Sequence, residues 1–293
     1  MIKLAIEFKQ SAFLPEAHAY KAFFESKGWQ CEFLDPSSKG NQKYDVIILF
    51  HGIHPFWKSY PKIVVGEYHS LSTGRFPRIK DAIKRLINKP ANLNVFLNER
   101  VRSAMWFSAN SSNNLLRPMG VCYEEYEKIQ NSAEFDIVYA GSYRKGLDKV
   151  IASLKDLGYK IAIAGFTGQS CRLVKYFGKL SVAETRSLIK KSRLGLNFTP
   201  DVWPYNIQDS TKVLEYCAAG IPIVTNNYEW IRNFQDSRDC QFLDLYEFIS
   251  NKKKDDFDLQ SPNISDLDWG KVIINSGLYE KLTGELNSNL QNK

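Results

Sequence analysis

Apolar residues along this chain fall into short runs separated by helical or polar stretches. Residues 2–8 alternate and run apolar, which predicts a strand. Residues 15–27 follow at helical spacing, with Ala17, Tyr20, Phe23 and Phe24 on one face, and Gly28 closes the helix. Residues 31–34 are a second strand candidate. Residues 45–50 and 62–68 are stronger ones, and each runs directly into a histidine, His51 and His69. Residues 95–97 predict a further strand, 98–107 a helix, 108–114 a polar loop and 115–121 the last strand of a first series. Residues 123–134 are polar and acidic and read as a linker. The alternation then resumes, with strands at 136–140, 160–164, 173–177 and 194–198 and helices at 147–157 and 181–193. Ser181 and Glu184 have capping-box spacing. Strands and helices taking turns argue for parallel sheets covered on both faces, an α/β chain in two halves.

With 293 residues, one large or two modest domains fit. The pattern predicts a first domain at 1–125, a second at 126–255, and a segment at 256–293 whose helix, 269–282, crosses back before a polar tail from Gly284. A hydrophobic content of 44% supports proper cores. No apolar run approaches the roughly 18 residues of a membrane span, and the first residues read as a strand rather than a signal peptide. Five cysteines lie scattered with no C-x-x-C pair, which suits reduced thiols in the cytoplasm and argues against a disulfide framework or a zinc site.

The formal charge of +7 points to an anionic partner. The charge is spread out and no nucleic-acid recognition module occurs, which excludes nucleic acid. Residues 75–89 read R-F-P-R-I-K-D-A-I-K-R-L-I-N-K. Ile79, Ala82, Ile83, Leu86 and Ile87 make an apolar stripe, and Arg78, Lys80, Lys84, Arg85 and Lys89 supply cations. Such a helix either faces the core with a solvated outer side or makes peripheral contact with an anionic membrane.

In parallel sheets, ligands gather beyond the carboxyl ends of strands. His51, His54, Glu67 and His69 fall at such ends in the first half. H-x-x-H at 51 and 54 is poor ligand spacing on a loop, so no metal is expected there. In the second half, strand 136–140 leads into G-S-Y-R-K-G. Gly141 lets backbone approach a phosphate, and Arg144 and Lys145 offset its charge. The loop is neither the G-x-G-x-x-G fingerprint nor a P-loop.

Residues 209–227, D-S-T-K-V-L-E-Y-C-A-A-G-I-P-I-V-T-N-N, read as a helix and a buried strand. Asp209 or Ser210 can cap the start, Gly220 suits the end, and Pro222 forbids continuation. A helix start attracts phosphate, and Ser210, Thr211 and Lys212 add two hydroxyls and a cation. Glu215, one turn further, could accept hydrogen bonds from a diol such as a ribose; the plainer alternative is a capped core helix with one exposed glutamate. Trp203 and Tyr205 could floor a sugar pocket or simply anchor their loop. The D-F-D at 256–258 and D-L-D at 266–268 imitate a metal motif but follow no nucleotide-binding strand, so they read as coincidence.

The run K-V-L-E-Y-C-A-A-G-I-P-I-V at 212–224 resembles the signature of GT-B glycosyltransferases, especially the large retaining, family 4-like group written E-A-x-A-x-G-x-P-V-V. The resemblance covers residues 135–227 well and the first half by layout. It implies two Rossmann-like domains with a cleft between them. It implies that Glu215 holds the nucleotide ribose, and that Gly141, Arg144, Lys145 and the helix start at Ser210, Thr211 and Lys212 hold the donor diphosphate. Lys179 and Leu180 would read the base. His69 would lie near donor sugar and acceptor, with Glu67 as an alternative acid or base.

The implied substrate is a UDP or GDP sugar, with no cofactor and no metal. The implied acceptor is a glycan or lipid-linked molecule, in bacterial surface polysaccharide synthesis at the cytoplasmic face of the membrane. Two departures stand out. Where many retaining members carry a second glutamate this chain has Ile207, with Gln208 or Asp209 as the nearest polar residues, and the phosphate loop is shortened so that Arg144 and Lys145 are adjacent. The rival readings are a sugar-nucleotide epimerase on the same fold and a non-catalytic nucleotide-sugar-binding protein.

Overall fold

A computed structural model describes residues 1–9, 14–38, 40–127, 133–251 and 260–291. The chain forms two compact units, 1–120 with 269–293, and 121–268.

The first unit runs β1 (Lys3–Glu7), α1 (Pro15–Ser26), β2 (Gln30–Leu34), β3 (Val46–Phe50), β4 (Ile63–Tyr68), α2 (Pro77–Ile87), β5 (Leu93–Phe96), α3 (Glu99–Ala104) and β6 (Asn114–Leu116). Its six strands pair in parallel in the order β2-β1-β3-β4-β5-β6. β3 is buried at every position, as an unbroken V-I-I-L-F run in a doubly covered sheet demands. Asn98 caps α3 by accepting from Val101 N, 2.9 Å away.

The second unit runs α4 (Tyr123–Glu127), β7 (Phe135–Ala140), α5 (Leu147–Asp156), β8 (Ile161–Ala164), β9 (Val174–Gly178), α6 (Val182–Lys190), β10 (Ser192–Asn197), α7 (Thr211–Ala219), β11 (Ile223–Thr225), α8 (Glu229–Arg238), β12 (Leu243–Asp244) and α9 (Leu245–Ser250). The parallel order is β12-β11-β10-β7-β8-β9. Counted within the unit, this is the doubly wound order 3-2-1-4-5-6, and its switch point lies between β7 and β10. The expected capping box at Ser181 and Glu184 is present. Gly220 ends α7 at φ 69°, where a residue without Cβ carries no penalty.

The chain then returns to the first unit through α10 (Trp269–Asn275) and α11 (Leu278–Gln291). Ile273, Leu278 and Leu282 are fully buried there beside Tyr20, Phe24 and Trp29.

Several expectations change. The boundaries lie at 120/121 and 268/269, against 1–125, 126–255 and 256–293. The start of the expected linker is α4, held because Tyr126 is fully buried; residues 128–132 lie outside the described residues. The strand expected at 115–121 shrinks to Asn114–Leu116. The single helix expected at 269–282 is two, broken at Gly277, and residues 285–291 of the expected polar tail continue the helix. The charge run at 251–258, including D-F-D at 256–258, lies almost wholly outside the described residues. In D-L-D, Asp266 pairs with Arg238 and Asp268 accepts from Tyr123 N, so both carboxylates have structural partners.

The helix at 75–89 forms as α2, but Asp81 is its buried residue and Ile79, Ile83 and Leu86 of the apolar stripe face outward, with Ala82 and Ile87 half-buried.

Candidate functional site

In the second unit the carboxyl ends of β7, β8 and β9 finish on glycine backbone. Gly141 N donates to Ala164 O at 2.9 Å, and Gly165 N to Gly178 O at 2.7 Å. Gly165 has φ +110°, and a Cβ there would lie 2.3 Å from Gly141 O, so only glycine fits. The result is a floor of bare backbone beside the β7/β10 switch point.

The start of α7 comes up against this floor. The Lys212 stem passes so close to Gly141 that a Cβ there would meet its Cδ at 3.2 Å. The Lys212 ammonium lies 5.7 Å from the Tyr139 ring centroid. Burial lowers its pKa to about 8, Arg144 adds repulsion, and Glu215 opposes both. Arg144 itself lies over the Tyr205 ring at 4.7 Å. Tyr205 therefore seats a cation. Lys145, its neighbour, is exposed, so the shortened loop turns one cation inward and one outward. Lys179 is exposed and Leu180 half-buried, directly after β9.

Ser210 is the α7 N-cap residue, yet its side chain makes no capping bond. Its hydroxyl donates instead to Asn197 Oδ1 at 3.2 Å. Asn197, fully buried at the end of β10, also donates to Thr225 Oγ1 at 2.9 Å and to Tyr228 Oη at 3.1 Å. The cap expected from the Ser210 side chain is thus withdrawn. Thr211, the first residue of α7, is half-buried.

Glu215 is half-buried one turn along α7. Burial raises its carboxyl to about 7, against the attraction of Arg186 and Lys212. It is therefore not the exposed glutamate of the plainer reading. Arg186 pairs with Glu125 and lies over the Tyr126 ring at 5.7 Å. Tyr216, the next residue of α7, reaches the sheet: its hydroxyl accepts from Ala140 N at 3.0 Å and faces Leu196 O at 3.2 Å. Gly195 makes room for that ring, since a Cβ there would lie 2.3 Å from it.

Sequence reasoning did not single out Asn197, Tyr216 or Arg186. A tyrosine in a small-residue helix paired with a glycine in the neighbouring strand was the available signal for Tyr216. Nothing local marked Asn197. Ile207, where the family's second glutamate would stand, is buried, and Gln208 beside it holds a buried Nε2 without a hydrogen-bond partner.

A cavity of about 720 Å³ opens at the other edge of this sheet, near Thr225 and Asp244. Its lining includes Asp236, Asp239 and Asp244 and no lysine or arginine, so its charge opposes a diphosphate.

In the first unit the strand ends gather histidines, but most are structural. Glu67 is fully buried, accepting from Tyr20 Oη at 2.6 Å and from Arg117 Nη2 at 2.6 Å. It is therefore withdrawn as an acid or base: it is sealed in an ion pair, and removing one partner of such a pair costs about 3–5 kcal/mol. His54 bonds Glu7 at 3.1 Å and Phe50 O at 2.6 Å. His51 meets Ser70 O at 3.0 Å, and burial lowers it to about 3. His69 keeps an Nδ1 without a partner and packs on Phe50, with ring centroids 5.4 Å apart. Burial lowers it to about 4, so it is neutral at pH 7. Among the described residues no group of three or more His, Cys, Asp or Glu is arranged to hold a metal ion.

No family model and no curated protein matches this sequence. Solved structures do match in shape. AviGT4, a glycosyltransferase involved in avilamycin A biosynthesis, aligns with a TM-score of 0.61 at 11% identity over 100% of this chain and 99% of its own. The UDP-GlcNAc 2-epimerase of Methanocaldococcus jannaschii aligns at 0.57 and 12%, over 96% and 99%. That of Rickettsia bellii aligns at 0.53 and 9%, over 99% and 96%. Identities this low speak of fold. The chain has the GT-B fold of two Rossmann-like α/β domains.

Proposed function

We propose that this chain is a glycosyltransferase that takes a sugar from a nucleotide-diphosphate sugar, UDP or GDP, and passes it to a glycan or lipid-linked acceptor without a metal. One observation carries the reading: Lys212, Arg144 and the α7 start, which the Ser210 hydroxyl leaves for Asn197, meet glycine backbone at the switch point of the second unit. A helix start contributes about 0.3–1 kcal/mol toward an anion, and two part-buried cations add charge-assisted hydrogen bonds. Donors fixed in advance where charge builds on the leaving diphosphate lower the barrier without reorganising. Glu215, one turn on, is at the right remove to accept from a ribose diol. Lys179 and Leu180 then flank the base.

With Glu67 sealed, His69 is the first unit's remaining candidate. A neutral imidazole with a pKa near 4 orients a hydroxyl better than it deprotonates one. That favours a retaining course, in which departure and attack share one face and no protein nucleophile acts.

The test is thermal stabilisation by a panel of nucleotide diphosphates, since a ligand that binds only the folded state raises its melting temperature. UDP or GDP should raise Tm. Arg144→Ala and Glu215→Ala should each abolish the rise while the unliganded protein still melts cooperatively, and a chelator should change neither result. A protein that no nucleotide diphosphate stabilises would sink the reading.

The epimerases of like fold make the rival concrete. Donor incubated without acceptor should come back unchanged; an epimerised sugar in that mixture would put an epimerase in place of the transferase. Donor binding with no turnover across an acceptor panel would indicate a binding protein.

A further inference from the structure

Among the described residues, nothing in its own unit covers the apolar side of α2. Its one acid, Asp81, is buried and accepts from Ser72 N at 3.2 Å. Its aliphatic side chains point the other way: Ile79, Ile83 and Leu86 are 57%, 45% and 79% exposed, and Phe76 at the N-cap is 58% exposed. The loop before β4 extends this face. Phe56 N bonds Ile87 O at 2.9 Å and Lys89 N bonds His54 O at 2.8 Å, which ties the loop to the helix end. The same loop presents Phe56 and Trp57, 57% and 67% exposed, with ring centroids 5.0 Å apart. Scattered exposed apolar residues are ordinary, but a run of this size along one helix marks an interaction surface.

Charge selects the occupant. Residues 75–89 carry six cations, Arg75, Arg78, Lys80, Lys84, Arg85 and Lys89, and their single acid is the inward Asp81. Lys84 is half-buried on the Asp81 side, and the five exposed cations give the outer face one sign beside its apolar stripe. A second copy of this chain would bring the same cations together across a two-fold contact, which disfavours self-pairing. A bilayer with anionic headgroups offers both halves of the complement: acyl chains for the aliphatic stripe and phosphates for the rim. With 11 residues α2 is about 16 Å long, too short to span and suited to lying in the plane of the interface.

We infer that the outward face of α2, with Phe56 and Trp57, docks on an anionic lipid surface. The inference uses no residue of the second unit and stands or falls apart from the transferase reading.

Vesicle co-sedimentation of the full chain tests it. The protein should sediment with vesicles containing about a third phosphatidylglycerol and stay in solution with phosphatidylcholine alone. The double variant Ile83→Ser, Leu86→Ser should lose about tenfold or more in vesicle affinity. The double variant Lys80→Glu, Lys89→Glu should lose roughly fivefold or more for each cation removed. Both variants replace exposed residues and should keep the Tm and the nucleotide-induced stabilisation of the parent, so their failure to bind cannot be charged to misfolding. No binding to the anionic vesicles, or undiminished binding by both variants, overturns the inference. A dimer in light scattering that the serine variant dissolves assigns the face to a second copy and overturns it equally.

Discussion

Lys212 is where the donor reading meets the most direct measurement. Its pKa is depressed to about 8 because burial and Arg144 disfavour the charged form. A bound diphosphate favours that charged form and raises the pKa again. Below 8 the free protein already holds the proton and the lysine's contribution is complete. As pH climbs through 8 the free lysine becomes neutral, and binding must then take up a proton. UDP or GDP affinity should therefore fall by up to about tenfold per unit above pH 8. Glu215 titrates near 7, so the limb above 8 belongs to the lysine. Lys212→Arg should flatten that limb, since a guanidinium stays charged. A flat parent profile to about pH 9 by calorimetry would count against Lys212 as a phosphate ligand. Lys212 and Glu215 were legible in the sequence because a helix start, a carboxylate and a glycine keep a fixed spacing. Glu67 was legible only as a carboxylate at a strand end. What disarms it is Arg117, at a sequence separation of 50, and no local pattern carries that contact.

At the scale of elements, α7 is held by groups that its own sequence does not show. Asn197 draws the Ser210 hydroxyl away from the helix start, and Tyr216 bolts the helix to β7 and β10. Asn197→Ala leaves Thr225 and Tyr228 with one partner fewer and frees Ser210 to cap α7. It should cost about 1–3 kcal/mol of stability, and a capped helix start should bind the nucleotide diphosphate more weakly. An unchanged urea midpoint together with unchanged affinity would show that the network is idle. The helix itself was readable from its periodicity, and Gly220 ends it as expected. α2 shows the limit of such reading. Periodicity reports that a stripe exists and is silent on which way it faces, and the buried Asp81 decides that. The acidic residues of α4 hid the single tyrosine, Tyr126, that packs it down.

The whole molecule is a chain that leaves its first unit at 120 and comes back to it at 269. Two α/β halves and a returning helix were visible in the alternation of strands and helices. The crossing points were not, because they depend on which core each segment joins. Val121 pairs with Asp268 inside the second unit, and Trp269 lies 5.4 Å from the Arg117 guanidinium inside the first. The two units therefore differ in what they need. All the proposed donor residues, from Gly141 to Glu215, lie within the uninterrupted 121–268 segment with its own core. Expressed alone, that segment should fold and keep the nucleotide-induced rise in Tm. Residues 1–120 alone should not fold. They lack Ile273, Leu278 and Leu282, each worth roughly 1.5–3 kcal/mol when buried. The sum is comparable to the whole net stability of a domain, about 5–15 kcal/mol. Fusing 269–293 behind 1–120 through a flexible linker should restore a cooperative transition. A cooperative melt from 1–120 without it would show that the returning helices are dispensable. An isolated second unit that folds but ignores nucleotide diphosphate would move the donor site away from the switch point of that sheet.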